Sequence, residues 1–165
     1  MSTVTTWYLE MHDPSELRAA RRHPDLELRE CELPQWEQNR FLYQLVGGPW
    51  DWTDKLGWSE ARWREWAESP DLRTFVAFHR GAIAGYYELH RQAGGDIEIA
   101  YFGLAPGFIG RGFGGDLLGR CIADAWAWGA KRVWVHTCSL DHPSALANYR
   151  ARGLVLYDTR THESG

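Results

Sequence analysis

The stretch Asp96-Ile97-Glu98-Ile99-Ala100-Tyr101-Phe102-Gly103-Leu104-Ala105-Pro106-Gly107-Phe108-Ile109-Gly110-Arg111-Gly112-Phe113-Gly114-Gly115 decides the fold. Residues 96–104 alternate at their start and are rich in apolar and aromatic residues, which predicts a strand. The glycine-rich run that follows places Gly110, Gly112 and Gly114 between larger residues. Then the period changes. Leu117, Leu118, Cys121, Ile122, Ala125 and Trp126 form an i, i+1, i+4, i+5 stripe, which predicts a helix to about Gly129 with one buried face. Asp116, Arg120 and Asp124 stand four apart on the expected opposite face, where they can pair. Residues 132–138 read as a buried strand. A crossover helix of this length implies two parallel strands joined in the right-handed sense.

Working outward, residues 74–79 and 82–90 alternate as strands around a tight turn at Arg80-Gly81, and Gly94-Gly95 turns into residues 96–104. That is an antiparallel meander. The expected fold class is therefore α/β (mixed α+β). Its sheet is mixed and mostly antiparallel, with one parallel βαβ unit and helices on both faces. Downstream, Asp141-His142-Pro143 starts a last helix that Gly153 ends, and residues 154–157 close the sheet. Upstream, residues 5–11 suggest an edge strand and residues 26–31 a second strand. Pro34 opens a helix that Gly47-Gly48 closes. Ser59 is a suitable N-cap for a helix to Glu68, and Trp58 and Trp63 are spaced for a hydrophobic staple.

The length of 165 residues suits one core, so we expect a single domain over residues 1–165. Residues 1–70 would supply N-terminal strands and helices, and residues 71–165 the main sheet, the glycine loop and the last helix. The net charge of −4 weighs against nucleic acid or an anionic membrane as partner. Cys31, Cys121 and Cys138 are odd in number and unpatterned, and read as free thiols in a reducing compartment. No stretch approaches the roughly 18 consecutive apolar residues a spanning helix needs. Residues 1–8 lack a signal-peptide pattern. The expectation is a soluble, cytoplasmic protein, and a homodimer is compatible with it.

Alternating glycines at a strand-to-helix junction let the backbone turn sharply and come close to a ligand. The helix behind them offers unpaired N–H groups and partial positive charge. Together they make an anion site suited to a pyrophosphate, to which Arg111 can add a charged contact. A dinucleotide fingerprint is met formally by Gly110, Gly112 and Gly115, but the strands before it are antiparallel and the unit sits late in the chain. A Walker loop would need a Gly-Lys-Ser/Thr ending. A plain tight turn is the remaining alternative. Residues 110–114, after Leu104-Ala105-Pro106, resemble the coenzyme A pyrophosphate loop of the GNAT superfamily of N-acyltransferases, whose pattern is Arg/Gln-x-x-Gly-x-Gly/Ala. Gly112 and Gly114 match its glycines, and Ile109 stands where Arg or Gln is usual. That departure removes one side chain and leaves the backbone donors. The resemblance covers the meander, the βαβ unit, the last helix and the closing strand, and is vague before residue 70.

This resemblance implies acetyl-CoA or another acyl-CoA as co-substrate, with no metal. Its acceptor would be a primary amine of a small molecule or peptide that attacks directly in a ternary complex. Such chemistry asks for a base, for donors to the thioester oxygen and for an acid at the leaving sulfur. Glu98, on the strand entering the loop, is the candidate base. It is expected to share a face with Ala100 and Phe102 and to have a raised pKa if partly buried. It resembles the glutamate that serves as base in several GNAT members; a solvated rim carboxylate is the alternative. Glu88 on the neighbouring strand is the second choice, acting through water. Gly103 suggests a bulge or a close backbone approach. By resemblance, the backbone of Phe102, Gly103 and Leu104 faces the pantetheine arm, and residues from Ile109 through Phe113 to Gly115 hold the pyrophosphate. Tyr149, four residues before Gly153, resembles the family's tyrosine that protonates the sulfur; a core tyrosine is the alternative. Asn148 reads as solvent-facing.

In the family, the region before residue 70 forms the acceptor wall. Trp50, Trp52 and Trp58 there could hold an aromatic, a sugar or a cationic amine, or could simply plug the core. His136 is a candidate for the acceptor pocket. Cys138 reads as a small buried hydrophobe. Two alternatives stay open. One is a non-catalytic module that binds coenzyme A as a regulatory ligand. The other is the same fold with a different donor, such as an aminoacyl-tRNA, for which Arg18, Arg21 and Arg22 would have to form a basic patch.

Overall fold

The computed structural model describes residues 2–164. A seven-stranded sheet runs in the order β2-β3-β4-β5-β6-β1-β7. Its strands are β1 (Ser2–Met11), β2 (Leu26–Glu30), β3 (Leu72–His79), β4 (Ala82–Arg91), β5 (Asp96–Leu104), β6 (Arg132–Cys138) and β7 (Val155–Ser164). Helices α1 (Trp36–Gly47) and α2 (Glu60–Ala67) cover one face. Helices α3 (Phe113–Ala127) and α4 (Ala145–Ala151) cover the other. The stripe of α3, including Leu117, Leu118, Cys121 and Ile122, packs with Ile97, Ile99, Val133 and Val135 in the larger core. Leu42 and Val46 of α1 pack on Val76 and Tyr86 in a smaller one. The architecture is the mixed, mostly antiparallel sheet with helices on both faces that the sequence predicts.

Two expectations need correction. The first strand is not at an edge, because β1 lies between β6 and β7 and pairs antiparallel with both. Its alternation is weak because Val4, Thr6 and Tyr8 look into a cavity, while Leu9 and Met11 on its other face are fully buried. The closing strand extends to Ser164, well beyond the short apolar piece that marks it in the sequence. As the edge strand it carries mostly exposed polar residues and has no apolar period. On the polar face of α3, Asp116 and Arg120 pair as their spacing predicts, and the pair is covered. Asp116 is buried and accepts from Arg120 at 2.8 Å and from the His23 backbone at 2.7 Å, because residues 17–25 cross over the start of the helix. Asp124 accepts a hydrogen bond from Tyr87.

Two irregularities in β5 position the site. Its ladder with β4 shifts register between Glu88 and Leu89, so Ala100 is an extra residue. Such a bulge exchanges the two faces of a strand beyond it. Ile97 and Ile99 face the α3 layer, and so do Phe102 and Leu104, whereas Tyr101 packs with the α1 cluster. Glu98 therefore shares its face with Tyr101 and Gly103, not with Ala100 and Phe102. Second, β5 and β6 pair in parallel only from Asp96–Arg132 to Glu98–Trp134. Beyond Glu98 the strands separate, and residues 99–104 present one backbone edge without a strand partner.

Candidate active site

The wedge between β5 and β6 opens into a cavity of about 1190 Å³. Its walls include β5 from Glu98 to Leu104, the glycine loop, α4, the end of β6, the segment before α2 and the cavity-facing residues of β1. The sheet thus supplies an exposed backbone edge, and the helix start supplies unpaired amides, in one continuous space.

Glu98 is mostly buried at the floor of this cavity. Burial pushes its carboxyl up to about 7, against the lowering effects of Lys55 and of a hydrogen bond from Gln92 Nε2 at 3.0 Å. Its other oxygen stands 3.7 Å from His136 Nε2. His136 is half exposed on β6, and burial pushes its imidazole down, toward the neutral form. Gln92 also accepts from Trp134 Nε1 at 2.9 Å, so it is held from both sides and presents a fixed donor to Glu98. A carboxylate near 7 next to a neutral imidazole can take a proton from an ammonium and hand it outward.

Tyr149 of α4 lines the opposite wall, 6% exposed, with its ring 6.1 Å from that of Phe102. Burial pushes its phenol well above the ordinary value, so it stays protonated over any working pH and can only donate to a developing anion. Asn148 is not solvent-facing. Its Nδ2 donates to the Gly114 carbonyl at 3.0 Å and ties α4 to the start of α3. The reason is that α4 packs across that helix N-terminus, which one-dimensional spacing does not reveal.

The glycine loop divides. Ile109, Gly110, Gly114 and Gly115 line the cavity together with Phe102, Gly103 and Leu104. Arg111, Gly112 and Phe113 do not. Phe113 is a core residue, and the Arg111 guanidinium lies over the Phe108 and Phe113 rings at 5.2 and 5.7 Å. What Gly112 contributes is backbone: it caps α3 with φ 84°, a left-handed conformation that a side chain disfavours. The close approach at Gly103 is to α1, where an added Cβ would stand 2.5 Å from Val46. The cradle at the start of α3, the free edge of β5 and the cavity's size fit a pyrophosphate with an extended arm.

The acceptor side also differs from the expectation in part. Trp50 and Trp52 line the cavity. Trp52 Nε1 donates to Asp141 at 3.0 Å, and its ring fills the space left by Gly47 on α1. Trp58 lies behind the wall against Trp63, ring centroids 5.2 Å apart as the staple predicts, and against Trp66. Glu88 lines no part of the cavity. It is 2% exposed, with its oxygens taken by Asn39 Nδ2 at 2.7 Å and Trp66 Nε1 at 2.8 Å. Burial pushes it up, and it acts on the cavity only as a charge behind Trp66.

Lys55, Gln92 and Tyr101 carry much of the site and escaped the sequence reading. The Lys55 ammonium donates to the Tyr101 hydroxyl at 2.8 Å beneath the Trp58 and Trp66 rings. One signal was available: of the 18 lysines and arginines, Lys55 and Lys131 alone are lysines, and Lys55 stands between Trp52 and Trp58. Gln92 had no signal, because it lies outside any strand and acts through a contact.

The profile of the acetyltransferase (GNAT) family matches residues 27–154, so the chain belongs to that family. An uncharacterized N-acetyltransferase of Mycobacterium tuberculosis is 34% identical over 107 residues, covering 65% of this chain and 68% of the relative. A GCN5-related N-acetyltransferase from Kribbella flavida superposes with a TM-score of 0.68 at 16% identity over 95% of this chain. This chain spans 56% of that protein. An aminoglycoside acetyltransferase from an uncultured soil metagenomic sample, solved with sisomicin, superposes with a TM-score of 0.59 at 15% identity, over 78% of this chain and 86% of its own. These two likenesses show the fold. No helix among the described residues is long and apolar enough to cross a membrane.

Proposed function

We infer that this GNAT protein is an N-acetyltransferase that moves an acetyl or related acyl group from coenzyme A to a primary amine of a small molecule or peptide, by direct attack in a ternary complex. The observation that carries the reading is one cavity into which Glu98, Tyr149, the free edge of β5 and the start of α3 all open. When bound, acetyl-CoA supplies the acyl group as an activated thioester. Gly110, Gly114 and Gly115 with the first turn of α3 would hold its pyrophosphate, and the backbone of residues 102–104 its arm. Glu98 then takes the acceptor's proton, with Gln92 and Lys55 fixing the carboxylate's place and charge. Tyr149 delivers a proton to the sulfur.

The lining supports an amine acceptor. Asp51, Asp54, Glu98 and Asp141 face the cavity with a single lysine, and Trp50 and Trp52 add ring faces. Acidic and aromatic walls favour a cation. The test is a panel of primary amines, including amino acids, peptides, polyamines and aminoglycosides, incubated with acetyl-CoA and the protein. Mass gain on an amine with matching thiol release supports the reading. Acetyl-CoA binding without thiol release from any amine would favour a non-catalytic module instead.

A further inference from the structure

Lys55 holds an unusual place. Its ammonium lies 4.2, 4.3 and 4.6 Å from the ring centroids of Trp58, Trp66 and Tyr101, and donates to the Tyr101 hydroxyl. The residue is 7% exposed, yet it lines the same cavity as Glu98 and Tyr149. The charged groups acting on it are Glu88 from β4, Glu98 from β5, Asp54 from its own loop and Arg62 from α2. Rings, negative potential and a base in reach of one cavity are what an acceptor ammonium requires. This chain fills that place with its own amine. Burial pushes the Lys55 amine down, which enlarges its neutral, nucleophilic fraction. The Lys55 backbone is held, its N–H donating to the Tyr43 hydroxyl at 3.2 Å, so rotation about the single bonds of its flexible side chain is the movement that would carry the amine from the cage into the cavity.

We propose that Lys55 is a self-acylation site: with acyl-CoA bound and no other amine present, the protein acylates its own Lys55 Nζ in cis. This rests on the acyltransferase reading above. The balance is simple. Glu98 takes one proton from the ammonium, and the freed Nζ lone pair bonds to the thioester carbonyl carbon. The C–S bond breaks with its electrons on sulfur. Of the three ammonium protons, one stays on the new amide, one makes good the proton that Tyr149 gives to sulfur, and one leaves to solvent through Glu98. The products are Nε-acyl-Lys55 and coenzyme A, and nothing is oxidised or reduced.

The test is peptide mapping of the full chain after incubation with acetyl-CoA alone, with acetyl-CoA binding measured by calorimetry on the same sample. The expected result is one acetyl group at Lys55, gained roughly tenfold or more faster than at Lys131, as intramolecular placement should give. Its first-order rate should not change with protein concentration. Lys131 is exposed and outside the cavity, so it reports the background from solution. Glu98→Gln should slow acylation of Lys55 by roughly 10²-fold and leave that of Lys131 as it was. If the chain binds acetyl-CoA and acylates an added amine while Lys55 gains nothing beyond the Lys131 background, self-acylation is overturned and the function stands. A rate at Lys55 proportional to protein concentration overturns the cis step. Failure to bind acetyl-CoA overturns both readings.

Discussion

Replacing Glu98 by glutamine should make the protein slower and more stable at once. Moving a carboxyl from 4.5 to about 7 makes its ionisation about 3 kcal/mol harder in the folded chain than in the unfolded one. The sign follows from proton binding. Between 4.5 and about 7 the folded chain holds a proton that the unfolded chain releases, so stability falls as pH rises through that window. Above it, the wild-type protein carries the full cost of a buried carboxylate. Glutamine has nearly the same shape. Its carbonyl can keep the bond from Gln92, and its amide can turn toward His136. Thermal melting should therefore show the two proteins alike below pH ~4.5 and diverging above it. At pH ~8 the gain of up to about 3 kcal/mol corresponds to roughly 6–12 °C for a chain of this size. Turnover should fall by roughly 10²–10⁴-fold, and the acidic limb of kcat/KM, centred near 7 in the wild type, should disappear. Thiol release with an acceptor amine of high pKa keeps the acceptor's own titration out of that window. Melting curves that stay parallel at all pH values, or a variant that keeps the limb, would refute the buried-base argument.

Three further outcomes are expected. Tyr149→Phe should slow single-turnover acyl transfer by roughly 10²-fold with little change in acetyl-CoA affinity, because the hydroxyl meets a charge that forms only as the C–S bond breaks; a wild-type rate would leave Tyr149 as a packing residue. Gly112→Val forces a β-branched residue to φ 84° at the start of α3, so calorimetry should show acetyl-CoA affinity reduced by roughly tenfold or more in a folded variant; unchanged affinity would detach the loop from the donor. Lys55→Met removes a positive charge that lowers the Glu98 pKa, so the acidic limb should move to higher pH; a shift to lower pH, or none, would show that the two groups are not coupled.

Most of the fold was legible because it is written in local periods. The stripe on α3, the turns at Arg80-Gly81 and Gly94-Gly95 and the glycines at 110–115 each constrain the backbone where they stand. They determine a meander followed by a right-handed βαβ unit. Glu98 and Tyr149 were singled out through their resemblance to GNAT residues at those offsets, and both line the cavity. β1 and β7 were the weak points. One faces a cavity and the other lies at the edge, so neither shows the alternation that burial on one face imposes.

The chemistry of the site lies elsewhere. A single extra residue at Ala100 turns Tyr101 and Gly103 toward the face of Glu98, and pattern alone had assigned them to the other. Glu88 and Glu98 are both carboxylates inside apolar strands. Only packing separates them, sealing the first behind Asn39 and Trp66 and opening the second to the cavity. Lys55 owes its ring cage to α2 and β5, which lie far apart in the chain order from one another. The sequence by itself determined the order of elements and the glycine loop at the start of α3, because backbone conformation responds to near neighbours. Only the tertiary structure decided which charges meet, because burial and Coulomb interaction depend on distance in space.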